Sequence, residues 1–340
     1  MGKKFAETVA GHPRKKLMDP TDKSLLVLVF GLDAPSTRYR WLEYESHFKA
    51  AGWNVKFARL EDVSDFAMLA DFDVVVLQKT MVSGRVFKQI RRHAKKLVYD
   101  ADDRIWMRPG KPYRGLTRWK IQRRMRAIAS GADICIAANS YIADDLTYFS
   151  AEPVVIPMAL DTGEWKYREP DPVRPTIGWT GGPKNLPFLK SILPALRSVL
   201  GKHDISFQIH CGENPQFSGI NYQYIPFELG QESEAVRGFD IGLCPLPDDP
   251  FSSGKSPIKS LQYLASGAAV VASPHGAVQD ILIGEKSGLW AVSLEEWESQ
   301  ISRLVEDTSL RLALARQGRA RLEERFATPK VFDELRVVMQ

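Results

Sequence analysis

Short apolar runs rich in Val, Ile and Leu recur along this chain, each separated from the next by a longer amphipathic stretch. That alternation constrains the fold more than any other feature. The first series is LLVLVF (25–30), WNVKFA (53–58), DVVVLQ (73–78), KLVYD (96–100), DICIAA (133–138) and PVVIP (153–157). Apolar runs of strand length mark strands buried on both faces, and the intervening helical spacing supplies crossovers. The pattern therefore predicts βαβ units and a parallel sheet, with helices over 37–51, 84–95, 115–130 and 140–149. Residues 161–175 are polar and punctuated by Pro170, Pro172 and Pro175, as a linker is. The pattern then restarts with PTIGWT (175–180), ISFQIH (205–210), YQYIP (222–226), DIGLCPL (240–246) and AAVVAS (268–273), and a weaker run follows at GLWAV (288–292). Helices are expected over 185–200, 231–238, 257–266, 294–306, 308–325 and 329–339.

The fold class expected is α/β, with two Rossmann-like domains facing each other across a cleft. Residues 1–22 form a flexible basic N-terminal arm, 23–160 the first domain, 161–174 the linker and 175–328 the second domain. Ligands of such sheets bind outside the carboxyl ends of the strands.

A chain of 340 residues with 44% hydrophobic side chains can bury a full core without cross-links. Cys135, Cys211 and Cys244 are far apart, odd in number and lack a CxxC pair, which argues against a disulfide framework or a zinc site. Neither a secretory signal nor an apolar run of the roughly 20 residues that span a bilayer is seen. A cytoplasmic protein is expected, peripheral at most to the inner face of the membrane. Charge is uneven: residues 1–160 hold 27 Lys and Arg against 18 Asp and Glu, a surplus of nine within a whole-chain net of +5. The first half thus suits an anionic partner.

Five constellations can carry chemistry. In GWTGGPKN (178–185), Gly181 and Gly182 allow a ligand close to the backbone, the following helix start suits phosphate, and Lys184 adds charge. The same residues also read as a plain turn, and the P-loop spacing is missing. In PFSSGKSPIKSLQYLASG (250–267), Ser256 can cap and Pro257 can open a helix that Gly267 stops. Lys255 and Lys259, about one turn apart, suit a diphosphate, and Gln262 a ribose or sugar hydroxyl; a solvated polar face is the plainer reading. YDADD (99–103) sets Asp100, Asp102 and Asp103 at a strand's carboxyl end, where clustered carboxylates can supply an acid or base, hold a cation, or merely cap a turn. Residues 104–126 hold nine Lys and Arg, Arg118, Arg123 and Arg124 among them, and no acidic residue. Trp106, Tyr113 and Trp119 are interleaved. That mixture suits an anionic membrane or lipid-linked substrate, or nucleic acid less well, or is a solvated helix. Arg38 and Arg40, after the loop 31–37, can meet an anionic acceptor.

Together these residues resemble the retaining GT-B glycosyltransferases of group 1, family 4, most clearly over 175–285. Lys184-Asn185 matches the family's KN after the first strand of its second domain, while Trp179 stands where Arg is usual. LQYLASGAAVV (261–271) matches the stretch following the family's E-x7-E segment, with Gln262 for the second Glu and Gly254 for the first. Lys255 and Lys259 resemble a variant with a K-S-x-x-K segment, as do S-x-R-Y-R at 36–40 and V-Y-D-x-D-D at 98–103. The resemblance implies a helix over 329–340 that returns to the first domain. It also implies transfer of a hexose-like sugar, with retention, from a nucleoside-diphosphate sugar to a glycan or lipid-linked acceptor, in the synthesis of cell-surface glycans.

Gly181, Gly182, Lys184, Lys255, Ser256 and Lys259 would hold the donor diphosphate, and Gln262 its ribose or sugar. Asp102 or Asp103 would orient or deprotonate the acceptor, and no cofactor or essential metal is expected. The alternative is a catalytically weak scaffold of this fold, binding membrane or nucleic acid through 104–126, to which the two missing carboxylates lend support. A dinucleotide-dependent dehydrogenase or epimerase is disfavoured because neither half has GxGxxG after its first strand.

Overall fold

The computed structural model describes residues 23–171 and 173–340; the expected N-terminal arm, 1–22, lies outside the described residues. These residues form two six-stranded sheets in which every pairing is parallel. The first contains β1 (Lys23–Val29), β2 (Trp53–Arg59), β3 (Val74–Gln78), β4 (Lys96–Ala101), β5 (Ile134–Ala137) and β6 (Pro153–Val155), in the order β2-β1-β3-β4-β5-β6. The second contains β7 (Thr176–Thr180), β8 (Ser206–Cys211), β9 (Gln223–Pro226), β10 (Ile241–Cys244), β11 (Ala269–Ala272) and β12 (Leu289–Trp290), in the order β12-β11-β10-β7-β8-β9. In each sheet the first strand has neighbours on both sides, and the chain winds outward in opposite directions from it. The switch points, where such sheets bind ligands, therefore lie at the carboxyl ends of β1 and β3 in one sheet and of β7 and β10 in the other.

The apolar runs become strands because helices cover both faces. Leu26, Leu28, Val75, Leu77 and Leu97 are fully buried against helical residues such as Phe87, Ile90, Met125 and Ile128. In the second sheet Ile177, Trp179, Ile209, Leu243 and Val271 pack with Leu196, Val199, Trp297 and Ile301. The three cysteines are buried free thiols. Four helices matter below: α1 (Gly115–Gly131), α2 (Ile258–Ser266), α3 (Thr308–Arg325) and α4 (Thr328–Met339). Among the described residues, no helix is long and apolar enough to cross a membrane.

Among the described residues two compact units result: 23–158 with Gly254–Ser256 and Val331–Gln340, and Ala159–Ser253 with Pro257–Lys330. The segment read as a linker counts with the second unit and is bonded to it. Asp240 receives the Arg168 guanidinium at 2.6 Å and the backbone N–H of Asp171 and Thr176, and the Arg168 N–H donates to Ser266. Residues 331–340 count with the first unit, where the Phe332 ring stacks on Tyr44 and meets Phe48 edge-on at 4.9 Å, and Lys96 donates to the Val338 carbonyl. The helix expected over 185–200 is two, Leu186–Ser191 and Leu193–Lys202, each with a proline in its first turn.

Candidate functional site

At the switch point of the second sheet, β7 ends in Thr180 and the chain turns through Gly181. The Tyr263 hydroxyl, carried by α2, accepts the Thr180 N–H at 2.9 Å and donates to the Leu243 carbonyl, tying β7, β10 and α2 together. A side chain at Gly242 would collide with the Tyr263 ring, which is why β10 carries glycine there. One turn back along α2, Lys259 is 8% exposed and its ammonium lies 4.6 Å from the centre of the Trp179 ring, a cation–π contact. A Cβ at residue 181 would stand 2.7 Å from the indole and 3.3 Å from Lys259 Nζ. Gly181 is thus the residue that lets the ammonium and the turn lie side by side. The indole N–H of Trp179 is buried and has no hydrogen-bond partner. Beside the turn, Thr180 Oγ1 and His210 Nδ1 are 2.9 Å apart, and the imidazole stacks on Phe227. Burial lowers the His210 pKa against a smaller opposing influence of Glu232, which favours the neutral ring.

The other residues expected here differ from the simple motif picture. Lys184 is exposed, and a Cβ added at Gly182 would meet no atom of the described residues within 4 Å, at a φ of −69° that any residue adopts. After Gly182 come a 3₁₀ turn, Pro183–Asn185, and a six-residue helix with Pro187 in its first turn. The expected phosphate-binding helix start is therefore missing: the helix is too short, and two prolines remove N–H donors.

Ser256 does not cap α2. Pro257 occupies the cap with no side-chain bond, and Ser256 Oγ instead accepts from Asn139 Nδ2 at 3.0 Å. Asn139 also donates to the Gly254 carbonyl, and these bonds are why Gly254–Ser256 count with the first unit. Lys255 lies just before α2, at its mouth as expected, and Lys259 is in the first turn of the helix. Gln262 is buried on α2. At Gly254 a Cβ would come within 2.3 Å of the Arg104 side chain, which fills the space a larger residue would need.

In the first unit, Asp102 and Asp103 follow β4, as expected, and are joined by a residue that sequence reasoning missed. Lys79, directly after β3, places its ammonium 3.5 Å from Asp102 Oδ2 and 3.4 Å from Asp103 Oδ2. Its backbone has φ +45°, a left-handed strain that only the structure could reveal. Burial raises the Asp102 pKa while Lys79 opposes the rise, and Asp102 Oδ1 is buried without a hydrogen-bond partner. For Lys79, burial alone would lower the pKa, but the two carboxylates outweigh it and raise it.

Asp100 and Arg40 are not free to meet a ligand. Arg40 is 3% exposed and makes a bidentate pair with Asp100, and it donates twice more, to the Ile156 and Pro157 carbonyls. Asp100 also accepts from the Trp41 indole at 2.8 Å. The expectation that Arg40 serves an anionic acceptor is thus corrected: it is a buried strut. Arg38 is half-buried, its guanidinium over the Tyr39 ring.

The basic stretch 104–126 also divides. Arg104 pairs with Asp145 at 2.8 Å, and the buried Trp106 donates to the same carboxylate, so neither faces an interface. Arg118, Arg123 and Arg124 are exposed on α1, together with Trp119 and Leu116. Among the described residues, no group of three or more His, Cys, Asp and Glu side chains is placed to hold a metal ion.

A family model described as glycosyl transferase-like matches residues 195–335. No curated protein matches the sequence. Among solved structures, the chain is similar to sucrose-phosphate synthase from Thermosynechococcus elongatus, with a TM-score of 0.71 at 14% identity, covering 93% of this chain and 98% of that one. It is similar to HepE of Anabaena in complex with UDP and glucose, with a TM-score of 0.67 at 12% identity, covering 93% and 99%. A glycosyltransferase from Rickettsia africae gives a TM-score of 0.71 at 11% identity, covering 94% and 98%. The two parallel six-stranded α/β sheets are those of the GT-B glycosyltransferase fold.

Proposed function

We propose that this protein transfers a sugar from a nucleoside-diphosphate sugar to an acceptor hydroxyl. The observation that carries the reading is the Lys259 ammonium, held against Trp179 beside Gly181 at the switch point of the second sheet. A glycosyl transferase-like match over this half, and similarity to a structure holding UDP and glucose, support it. In this reading the bond between the anomeric carbon and the diphosphate breaks, and Lys259, with the exposed Lys184, stabilises the charge left on the leaving group. Lys255 and Ser256 are further diphosphate ligands, and Gln262 bonds a ribose or sugar hydroxyl. The acceptor oxygen forms the new bond, and its proton passes to Asp102 or Asp103, with Lys79 fixing their orientation. The transferred group is hexose-like, its configuration is retained, and no metal is required. The product belongs to a glycan or lipid-linked saccharide made on the cytoplasmic side.

The test is a thermal-shift and turnover screen against UDP-, GDP-, ADP- and dTDP-sugars, repeated on Lys259→Ala. The expected result is a shift with one donor, lost in the variant, together with slow diphosphate release. Binding without release in any condition would favour a catalytically idle scaffold of the same fold, and no shift with folded protein would overturn the donor site.

A further inference from the structure

We infer that the outer face of α1 docks on an anionic lipid bilayer. Ile121, Met125, Ile128 and Ala129 turn inward, which fixes the opposite face as Leu116, Trp119, Lys120, Arg123 and Arg126, at the i, i+3, i+4, i+7 and i+10 positions of one helix side. Leu116 is 76% and Trp119 54% exposed, so a large aliphatic and a large aromatic side chain stand in water among cations. No acidic residue occurs anywhere in 104–126, and Arg124 flanks the same face. Solvated basic helices need no such apolar pair. An interfacial helix does, because the apolar side chains enter the headgroup boundary while the charges meet anionic lipids.

The aromatic rings separate this occupant from nucleic acid. Arg123 lies over Trp119 at 5.4 Å, Arg126 over Tyr148 at 5.3 Å and Arg108 over Tyr113 at 4.8 Å. One face of each ring is already taken, where base stacking needs an open platform. A guanidinium resting on a ring at the level of the headgroups satisfies both partners. Leu116, more exposed than Trp119, has no role against a phosphate backbone.

Vesicle flotation tests the inference with the full chain, comparing phosphatidylcholine alone with phosphatidylcholine containing phosphatidylglycerol, at low and high salt. Binding to the anionic vesicles, weakened by salt, is expected. Each charge removed from Lys120, Arg123 and Arg126 by substitution to Gln should weaken it about fivefold, the conversion of about one kcal/mol per basic residue. Leu116→Ser with Trp119→Ser should weaken it at unchanged charge, which a purely electrostatic surface would not show. All five side chains are exposed, so melting temperatures should match the parent. Should a variant fold poorly, the lipid and salt dependence of the unaltered chain still decides.

Equal partition onto both vesicle types, or none onto either, would overturn the inference. So would binding to single-stranded polyuridylate that outcompetes the vesicles and ignores the Leu116 and Trp119 changes. Donor thermal shifts are measured without lipid, so the docking surface and the donor site fail or succeed separately.

Discussion

Removing Asp100 leaves the Arg40 guanidinium charged and out of water, with the Ile156 and Pro157 carbonyls as its hydrogen-bond acceptors. Asp100→Ala should therefore destabilise the protein by about 3–5 kcal/mol, read by urea unfolding, because a broken buried pair costs far more than a surface one. Trp179 poses a different question, since its indole both fills the core and holds the Lys259 ammonium. Gly181→Ala should reduce affinity for whichever nucleoside-diphosphate donor the screen identifies at least tenfold by calorimetry while the fold persists, because the added Cβ meets the indole and the ammonium together. The residue types at these points were legible, but their facing was not. Arg40 and Arg104 looked like any exposed arginine until Asp100 and Asp145 were found beneath them, and those partners lie 60 and 41 residues away. Lys79 carried no signal, being a lone lysine whose meaning comes from strands β3 and β4 lying side by side.

Strands were the most legible elements, because burial on both faces leaves an uninterrupted apolar run. Helix starts were the least, as at 185–200, where proline positions divided one expected helix into two. At the far end of α2, Gly267 has φ +91°, and a Cβ there would stand 2.1 Å from the Arg168 carbonyl. Gly267→Ala should cost more than the roughly 1–2 kcal/mol of left-handed strain alone, measured as a fall in unfolding free energy.

His210 gives the second sheet a pH dependence. Burial holds its folded pKa below the ordinary value of about 6.5, so as pH falls past that value the unfolded chain takes up a proton first. Stability contributed by the neutral ring is present above about pH 6.5 and is lost on acidification toward the folded pKa. Melting curves across that window should slope less in His210→Gln than in the parent.

At the scale of the whole molecule, two α/β halves were readable from the repeat of one pattern. The ownership of three residues was not: Gly254–Ser256 sit in sequence within the second unit and count with the first, through bonds from Asn139. Residues 331–340 close the first unit with Phe332 on Phe48, Tyr44 and His47. Ending the chain after Lys330 should lower the melting of the first unit and leave donor-induced shifts of the second in place, as differential scanning calorimetry would resolve. Interleaving of this kind also has a temporal side. At 5–20 residues per second on the ribosome, roughly 10–35 seconds separate the synthesis of Met158 from that of Phe332. Through that interval the nascent first half waits with the Phe48 surface uncovered, an opening for chaperones that a chain with sequential domains would never present.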